Sequence, residues 1–236
     1  MNLIILYKND FIDGTHIARL KDRRFKHIRE IHKPKVQESL NVGLIDGKMG
    51  QGKVVKIAED HVDLDVSLRA NPPKSIDAIV AIALPRPIML KRILSYVTSI
   101  GIKKIILFNS QRVEKSFWQS SVLKQENLTK YLIEGLEQAK DTILPEVLLR
   151  PFFKSFVKND VTQLLKKTNV FVAHPEASKR CPSKIKNPAT ILIGPEGGFI
   201  PSEIKSLIDC GVESVNLGKR ILKVETATYV VLSKLL

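Results

Sequence analysis

Thr190-Ile191-Leu192-Ile193-Gly194-Pro195-Glu196-Gly197-Gly198-Phe199 decides how this chain is read. Thr190 to Ile193 shows no alternation of polar and apolar residues, as a strand buried on both faces requires. The run leads directly into Gly194-Pro195-Glu196-Gly197-Gly198, and Pro201 and Ser202 then open a helix. Glycine lets a ligand approach the backbone closely, and proline stiffens the loop. In open α/β sheets, ligands sit outside the carboxyl ends of the strands. An ordinary strand-to-helix turn rarely needs three glycines, a proline and a carboxylate together.

Outward from this stretch, strand and helix patterns alternate. Ala78–Leu84, Lys104–Phe108, Val147–Leu149, Val170–Ala173 and Val215–Leu217 read as strands. Ile88–Ile100 (stopped by Gly101), Leu128–Ile143, Val161–Lys167, Pro201–Cys210 and Glu225–Leu236 read as helices. Such alternation predicts an α/β fold with a mostly parallel sheet. Upstream the pattern differs. Leu3–Tyr7, Ser39–Ile45, Lys53–Ala58 and His61–Val66 read as short strands, with a turn at Asp46-Gly47, which suggests a small barrel. Asn71-Pro72-Pro73 is a stiff break, giving domains over 1–72 and 73–236.

The chain of 236 residues carries 38 basic and 24 acidic side chains, a net charge of +14. A field of that sign attracts polyanions, nucleic acid above all. Arg19 to Lys35 concentrates it. Arg19, Lys21, Arg23, Arg24, Lys26, Arg29, Lys33 and Lys35 stand against Asp22 and Glu30, with Phe25, His27 and His32 between them. The segment suits phosphate contacts or a solvated helix face. No apolar run approaches a membrane span, and the N-terminus lacks a signal peptide's basic region and cleavage site. Cys181 and Cys210 form no metal-binding or disulfide pattern, so no metal is expected. A cytoplasmic protein fits these features. Gly47-Lys48-Met49-Gly50-Gln51-Gly52-Lys53 approaches a P-loop, but Val54 replaces the magnesium-binding hydroxyl and a strand pattern follows. It reads as a hairpin turn. No dinucleotide-binding glycine fingerprint follows any strand.

A second loop, Leu217-Gly218-Lys219-Arg220-Ile221-Leu222-Lys223-Val224-Glu225-Thr226-Ala227, leaves one strand and enters the last helix. Leu217, Ile221 and Leu222 suit the walls of a flat adenine ring, with loop amides facing its edge. Glu225 and Thr226 fall in the first helical turn, where Glu225 also complements the helix dipole. A third strand end, Ala173-His174-Pro175-Glu176, completes the set.

These loops resemble those of the SPOUT class of RNA methyltransferases. More narrowly, they resemble the family that methylates N3 of a uridine in small-subunit (16S) ribosomal RNA. His27-Ile28-Arg29, Ala83-Leu84-Pro85, Asn109-Ser110-Gln111-Arg112 and Glu137-Gln138-Ala139 also fall where that family's motifs fall. The resemblance implies a PUA-like RNA-binding barrel before a trefoil-knotted α/β domain, an exception to the rule against knots. It implies S-adenosylmethionine, bound bent in the knot. Ala173, His174, Ile193, Gly194, Pro195, Glu196, Gly197, Gly198, Leu217, Gly218, Ile221, Leu222 and Thr226 would line its site. It implies a homodimer with the site near the subunit interface. The substrate would be small-subunit RNA or the assembled subunit, held by Arg19, Arg23, Arg24, Lys26, His27, Arg29 and Arg112. The chain departs from the family at Lys223, where arginine is usual, at Val224 for threonine and at Ser99 for glutamate. Arg86-Pro87-Ile88-Met89-Leu90-Lys91 also replaces a Lys-Gly-Asp run. Lysine lacks arginine's bidentate fork.

Methyl transfer from a sulfonium mainly needs alignment. Uracil N3 must also lose its proton or have its anion stabilised. Lys223 or Arg220 would stabilise that anion; Glu196 or Glu225, and more weakly His174, would take the proton. Two rival readings are a non-catalytic RNA-binding protein and an enzyme acting on a small anionic metabolite. A methyltransferase for a different RNA base is the nearest alternative.

Overall fold

A computed structural model of the chain describes residues 2–185 and 187–234. They form two compact units. One comprises the described residues up to Lys74 with Ile133–Leu144; the other comprises Ser75–Leu132 and the described residues from Pro145 onward.

The first unit contains β1 (Ile4–Leu6), β2 (Ile17–Leu20), α1 (Arg23–His27), β3 (Ser39–Leu44), β4 (Met49–Ile57) and β5 (Val62–Ala70). The five strands make one mixed sheet in the order β1-β3-β4-β5-β2, parallel only between β1 and β3. It curls around Ile4, Leu6, Leu20, Phe25, Ile28, Val42, Val54 and Leu64. Leu3 and Ile5 point to the other side of β1, against Ile133 and Leu136. Strand β2 lies where the sequence reading saw only basic residues. Ala18 and Leu20 face inward while Arg19 faces out, a period of two hidden by the charge.

The glycines that mimic a P-loop have packing roles here. A Cβ on Gly50 would lie 1.9 Å from the Ser67 carbonyl oxygen, beside a register shift between β4 and β5. One on Gly52 would lie 2.8 Å from Val42 Cγ1. Both positions exclude a side chain, the usual meaning of glycine within a strand.

The second unit runs β6 (Ile76–Ala83), α2 (Pro87–Ile100), β7 (Ile102–Phe108), the start of α3 (Gln125–Ala139), β8 (Glu146–Arg150), α4 (Phe153–Ser155), α5 (Thr162–Leu165), β9 (Asn169–Ala173), β10 (Ala189–Ile193), α6 (Pro201–Asp209), β11 (Glu213–Val215) and α7 (Val224–Leu232). Its six strands are all parallel, in the order β11-β9-β10-β6-β7-β8. Strand β10, buried throughout, inserts between β9 and β6, so Ile193 pairs with Ala173 on one side and Ile82 on the other. The carboxyl ends of β6, β9 and β10 thereby meet at one end of the sheet.

Several boundaries differ from the sequence reading. Helix α3 stops at Ala139 because Lys140 takes a left-handed φ of 55°. Helical structure before Val161 begins at Phe153 and passes through a wide π-type turn, Phe156–Val161, whose bulky residues obscure a simple period. The strand expected at Val215–Leu217 is Glu213–Val215, and Asn216 turns its amide to the neighbouring loop. Leu235 and Leu236, expected to end the last helix, lie outside the described residues. Among those described, no helix is long and apolar enough to cross a membrane, and no cluster of metal-binding side chains occurs.

Candidate functional site

A cavity of about 730 Å³ opens at the carboxyl end of the second unit's sheet. Its wall brings together Ala173 and His174 after β9, Ile193, Gly194, Pro195, Glu196, Gly197 and Gly198 after β10, and Leu217, Gly218, Arg220, Ile221, Leu222, Lys223 and Glu225 from the last loop. Three strand ends distant in sequence therefore share one site. Thr226 is the exception: it is exposed and does not line the cavity, although Glu225 and Ala227 do. A rotation of about 100° per residue turns it away from the wall. Sequence reasoning missed Arg86, Ile88 and Met89, which open α2 and form a fourth wall. The signal was present in Leu84-Pro85, where a buried strand ends and a proline-led helix begins.

The glycine loops are held open by their own backbone. Gly198 has φ +71° and Gly218 φ +125°, and a Cβ added at either would meet nothing within 4 Å. Left-handed backbone facing empty space is the requirement that favours glycine. The Gly198 N–H closes a turn onto the Pro195 carbonyl at 2.8 Å. Glu196 Oε1 accepts the Arg86 backbone N–H at 3.0 Å, tying this loop to the start of α2. The Arg112 guanidinium donates to the Gly197 carbonyl, which places Arg112 against the loop.

Two further residues escaped the sequence reading. Glu203, buried in α6, accepts the Ser110 hydroxyl at 3.1 Å, the Gln111 N–H at 2.8 Å and the Ile200 N–H at 3.1 Å. It thus fixes the loop after β7 to the helix that follows the glycine loop. Asn216 donates to the Ala177 and Lys179 carbonyls and accepts the Gly218 N–H at 3.2 Å. Both are loop pins, recognisable only once distant loops are adjacent.

Arg86, Arg220 and Lys223 are exposed at the cavity, so its mouth is cationic. Glu225 sits in the first turn of α7, the favourable end of the helix dipole for a carboxylate. His174 Nε2 lies 3.9 Å from Glu176. Behind Glu225, Tyr229 packs edge-on against Tyr96 at 5.3 Å between ring centroids. Burial first, then Tyr96 and Glu225, pushes its phenol up to about 12, so it stays neutral.

The arginines of the first unit's basic segment are engaged with their own protein, while its lysines are exposed. Arg19 makes two bonds to Asp63, at 2.8 and 2.9 Å, and Arg23 makes two to Glu137, at 3.1 and 2.9 Å. Arg24 is 4% exposed and binds Asp10, Asp22 and the Ile5 carbonyl. That enclosure removes Arg24 from the set of phosphate ligands expected from the sequence. Burial, with the charges of His32 and Arg23, lowers the pKa of half-buried His27, and its Nε2 is buried without a partner. Lys26 and Arg29 are exposed; Arg29 donates to the Glu59 carbonyl at 3.0 Å and lies over the Phe25 ring.

The model of an RNA methyltransferase domain matches residues 72–236. A ribosomal RNA small subunit methyltransferase E from Treponema pallidum is 29% identical, over 96% of this chain and 87% of that one. A second, from Borreliella burgdorferi, is also 29% identical, over 97% and 94%. Among solved structures, a Legionella pneumophila methyltransferase in complex with the cofactor SAM superposes with a TM-score of 0.77 at 19% identity, covering 100% and 97% of the two chains. A ribosomal RNA small subunit methyltransferase E from Neisseria gonorrhoeae, bound to S-adenosyl methionine, gives 0.70 at 16%, covering 98% and 96%. These likenesses share both the α/β domain and the curled N-terminal sheet. With the domain matched over most of its length, the chain belongs to the RNA methyltransferase family.

Proposed function

We propose that the chain transfers a methyl group from S-adenosylmethionine to N3 of a uridine in 16S ribosomal RNA, in the cytoplasm. Residues 1–72 serve in this reading as a PUA-like RNA-binding domain, and 73–236 as a trefoil-knotted SPOUT domain that acts as a homodimer. One observation carries it: two open glycine loops and three cations converge on a single ligand-sized cavity at the strand ends. The small-subunit methyltransferases similar over nearly the whole chain support the RNA substrate.

The cavity suits the cofactor. Ile193, Leu217 and Leu222 offer apolar walls, and Gly194–Gly198 and Gly218 offer backbone where side chains would intrude. When bound, S-adenosylmethionine supplies an activated methyl group. The protein's own residues then have two tasks. Arg220 and Lys223 hold negative charge on the uracil oxygens as N3 loses its proton. Glu225 is the better placed proton acceptor, because Glu196 already accepts the Arg86 amide. Lys26, Arg29 and Arg112 supply the phosphate contacts, while Arg19 and Arg23 stay on Asp63 and Glu137.

Calorimetric titration with S-adenosylmethionine, followed by mass-spectrometric mapping of methylated small-subunit RNA, tests the reading. Saturable binding at one site per chain and a single new methyluridine are expected. A folded protein that binds no S-adenosylmethionine would overturn it.

A further inference from the structure

Phe152 is the most exposed aromatic residue among those described, at 71%. Leaving such a ring in water forgoes about 1.5–3 kcal/mol of burial. Its backbone is nevertheless well defined. The backbone at Phe152 is extended (φ −127°, ψ 111°), so neighbouring side chains point to opposite sides. Phe153 therefore turns inward, 6.3 Å from the Phe108 ring and 6.4 Å from that of Phe199, which lines the cavity. Phe152 turns outward. Its carbonyl accepts the Phe156 N–H at 3.0 Å, and Pro151 restricts the chain before it.

The charge around it is positive. Lys154 and Lys158 are exposed and four residues apart, on one face of the helical segment after Phe152. The one acidic residue of this segment, Asp160, is held by Arg150 at 2.8 Å. The Asn109 N–H binds the Arg150 carbonyl at 2.8 Å, which joins the patch to the Asn109–Arg112 loop and so to Gly197. An exposed ring on a defined backbone, with cations nearby in sequence, is an arrangement suited to binding single-stranded nucleic acid by base stacking.

Strand order places the patch relative to the cavity. Phe152 follows β8, three strands from β10, at the same end of the sheet. At about 4.8 Å per strand the separation is about 14 Å. About four nucleotides span it at the ~3.4 Å rise of a stacked strand, and fewer when extended. We infer that Phe152, with Lys154 and Lys158, binds an unpaired RNA base a few nucleotides from the methylated one. This rests on the proposed function and adds a base-stacking contact to the phosphate contact of Arg112 on the same unit.

The test compares Phe152→Ala, Phe152→Leu and Phe152→Tyr in the full chain. Binding is measured with a fluorescent single-stranded fragment spanning the target, and turnover with small-subunit RNA. Alanine and leucine are expected to raise Kd and KM for RNA about tenfold, with kcat and S-adenosylmethionine affinity unchanged. Tyrosine keeps the ring and is expected to retain wild-type values. Unaltered RNA Kd and KM in Phe152→Ala, beside an active wild type, would overturn the inference and leave the patch to a protein partner. A wild-type protein without RNA methylation would overturn the proposed function and this contact with it.

Discussion

The basic segment of the first unit and the glycine loops of the second were equally conspicuous in sequence, yet they differ in what the fold does with them. The glycine loops stay open, and nearly every residue singled out there lines one cavity. The arginines largely turn back on their own protein: Arg24 is enclosed, and Arg19 and Arg23 face carboxylates. A glycine at a strand end reports a backbone geometry, which the chain imposes locally. A charge reports only composition, and whether it meets solvent depends on carboxylates far away in sequence, such as Glu137.

Arg24 gives the sharpest break in this comparison. Replacing it with methionine leaves Asp10, whose side chain is 10% exposed, with the Tyr7 N–H but without its cation. Removing one partner of a buried ion pair costs about 3–5 kcal/mol. Chemical denaturation at pH 7 is expected to show a loss of that size. The penalty depends on pH. Burial opposes the charged form of Asp22, but hydrogen bonds and charge from Arg24 outweigh it and lower its pKa. A depressed carboxyl contributes stability above its unfolded pKa and loses it as pH falls through the folded value. The difference between wild type and Arg24→Met should therefore narrow below about pH 4. An undiminished RNA-binding salt dependence in a stable Arg24→Met protein would agree with the enclosure; a stable variant with no RNA binding would return Arg24 to the phosphate ligands.

Two glycines test the other side. Gly14 in the first unit and Gly198 in the second share φ +71° with open space where a Cβ would go. Valine at either position forces strained backbone, about 1–3 kcal/mol. At Gly14 that strain is expected to lower stability alone. At Gly198 it is also expected to weaken S-adenosylmethionine binding about tenfold or more, measured by calorimetry on folded protein. Equal cofactor affinity in Gly14→Val and Gly198→Val would dissolve the distinction between the loops.

How far the sequence was legible follows the same division. The parallel sheet was readable because β6, β7, β9 and β10 each contain a continuous apolar run, and its helices because Gly101 and Pro201 mark their ends. The cavity walls after β9 and β10 were readable because each begins where such a run stops. What stayed hidden was pairwise. Glu203 and Asn216 look like ordinary helix and loop residues until Ser110 and Gly218 arrive beside them. Strand β2 was masked because the charge of Arg19 drew the reading away from Ala18 and Leu20. The π-type turn at Phe156–Val161 escaped because its apolar spacing matches neither helical nor strand periodicity.

The smallest expected effect concerns the cations that remain outward. Lys26 and Arg29 are exposed, whereas the guanidinium edges of Arg19 and Arg23 already face Asp63 and Glu137. Removing one cation from a phosphate should reduce the slope of log affinity against log salt by roughly 0.7–0.9. The double variant Lys26→Ala, Arg29→Ala is therefore expected to lower that slope by about 1.4–1.8 while leaving stability within about 0.5 kcal/mol. Arg19→Gln and Arg23→Gln should do the reverse: a small change in slope and a measurable drop in stability, because each leaves a shielded carboxylate without its fork. Fluorescence anisotropy across a salt series, with denaturation run on the same proteins, separates the two outcomes. If Arg19→Gln and Arg23→Gln lowered the slope as much as the double variant, their pairs with Asp63 and Glu137 would have to open on RNA. Those arginines would then be phosphate ligands held in reserve by carboxylates, and the contrast between the two regions would shrink to Arg24.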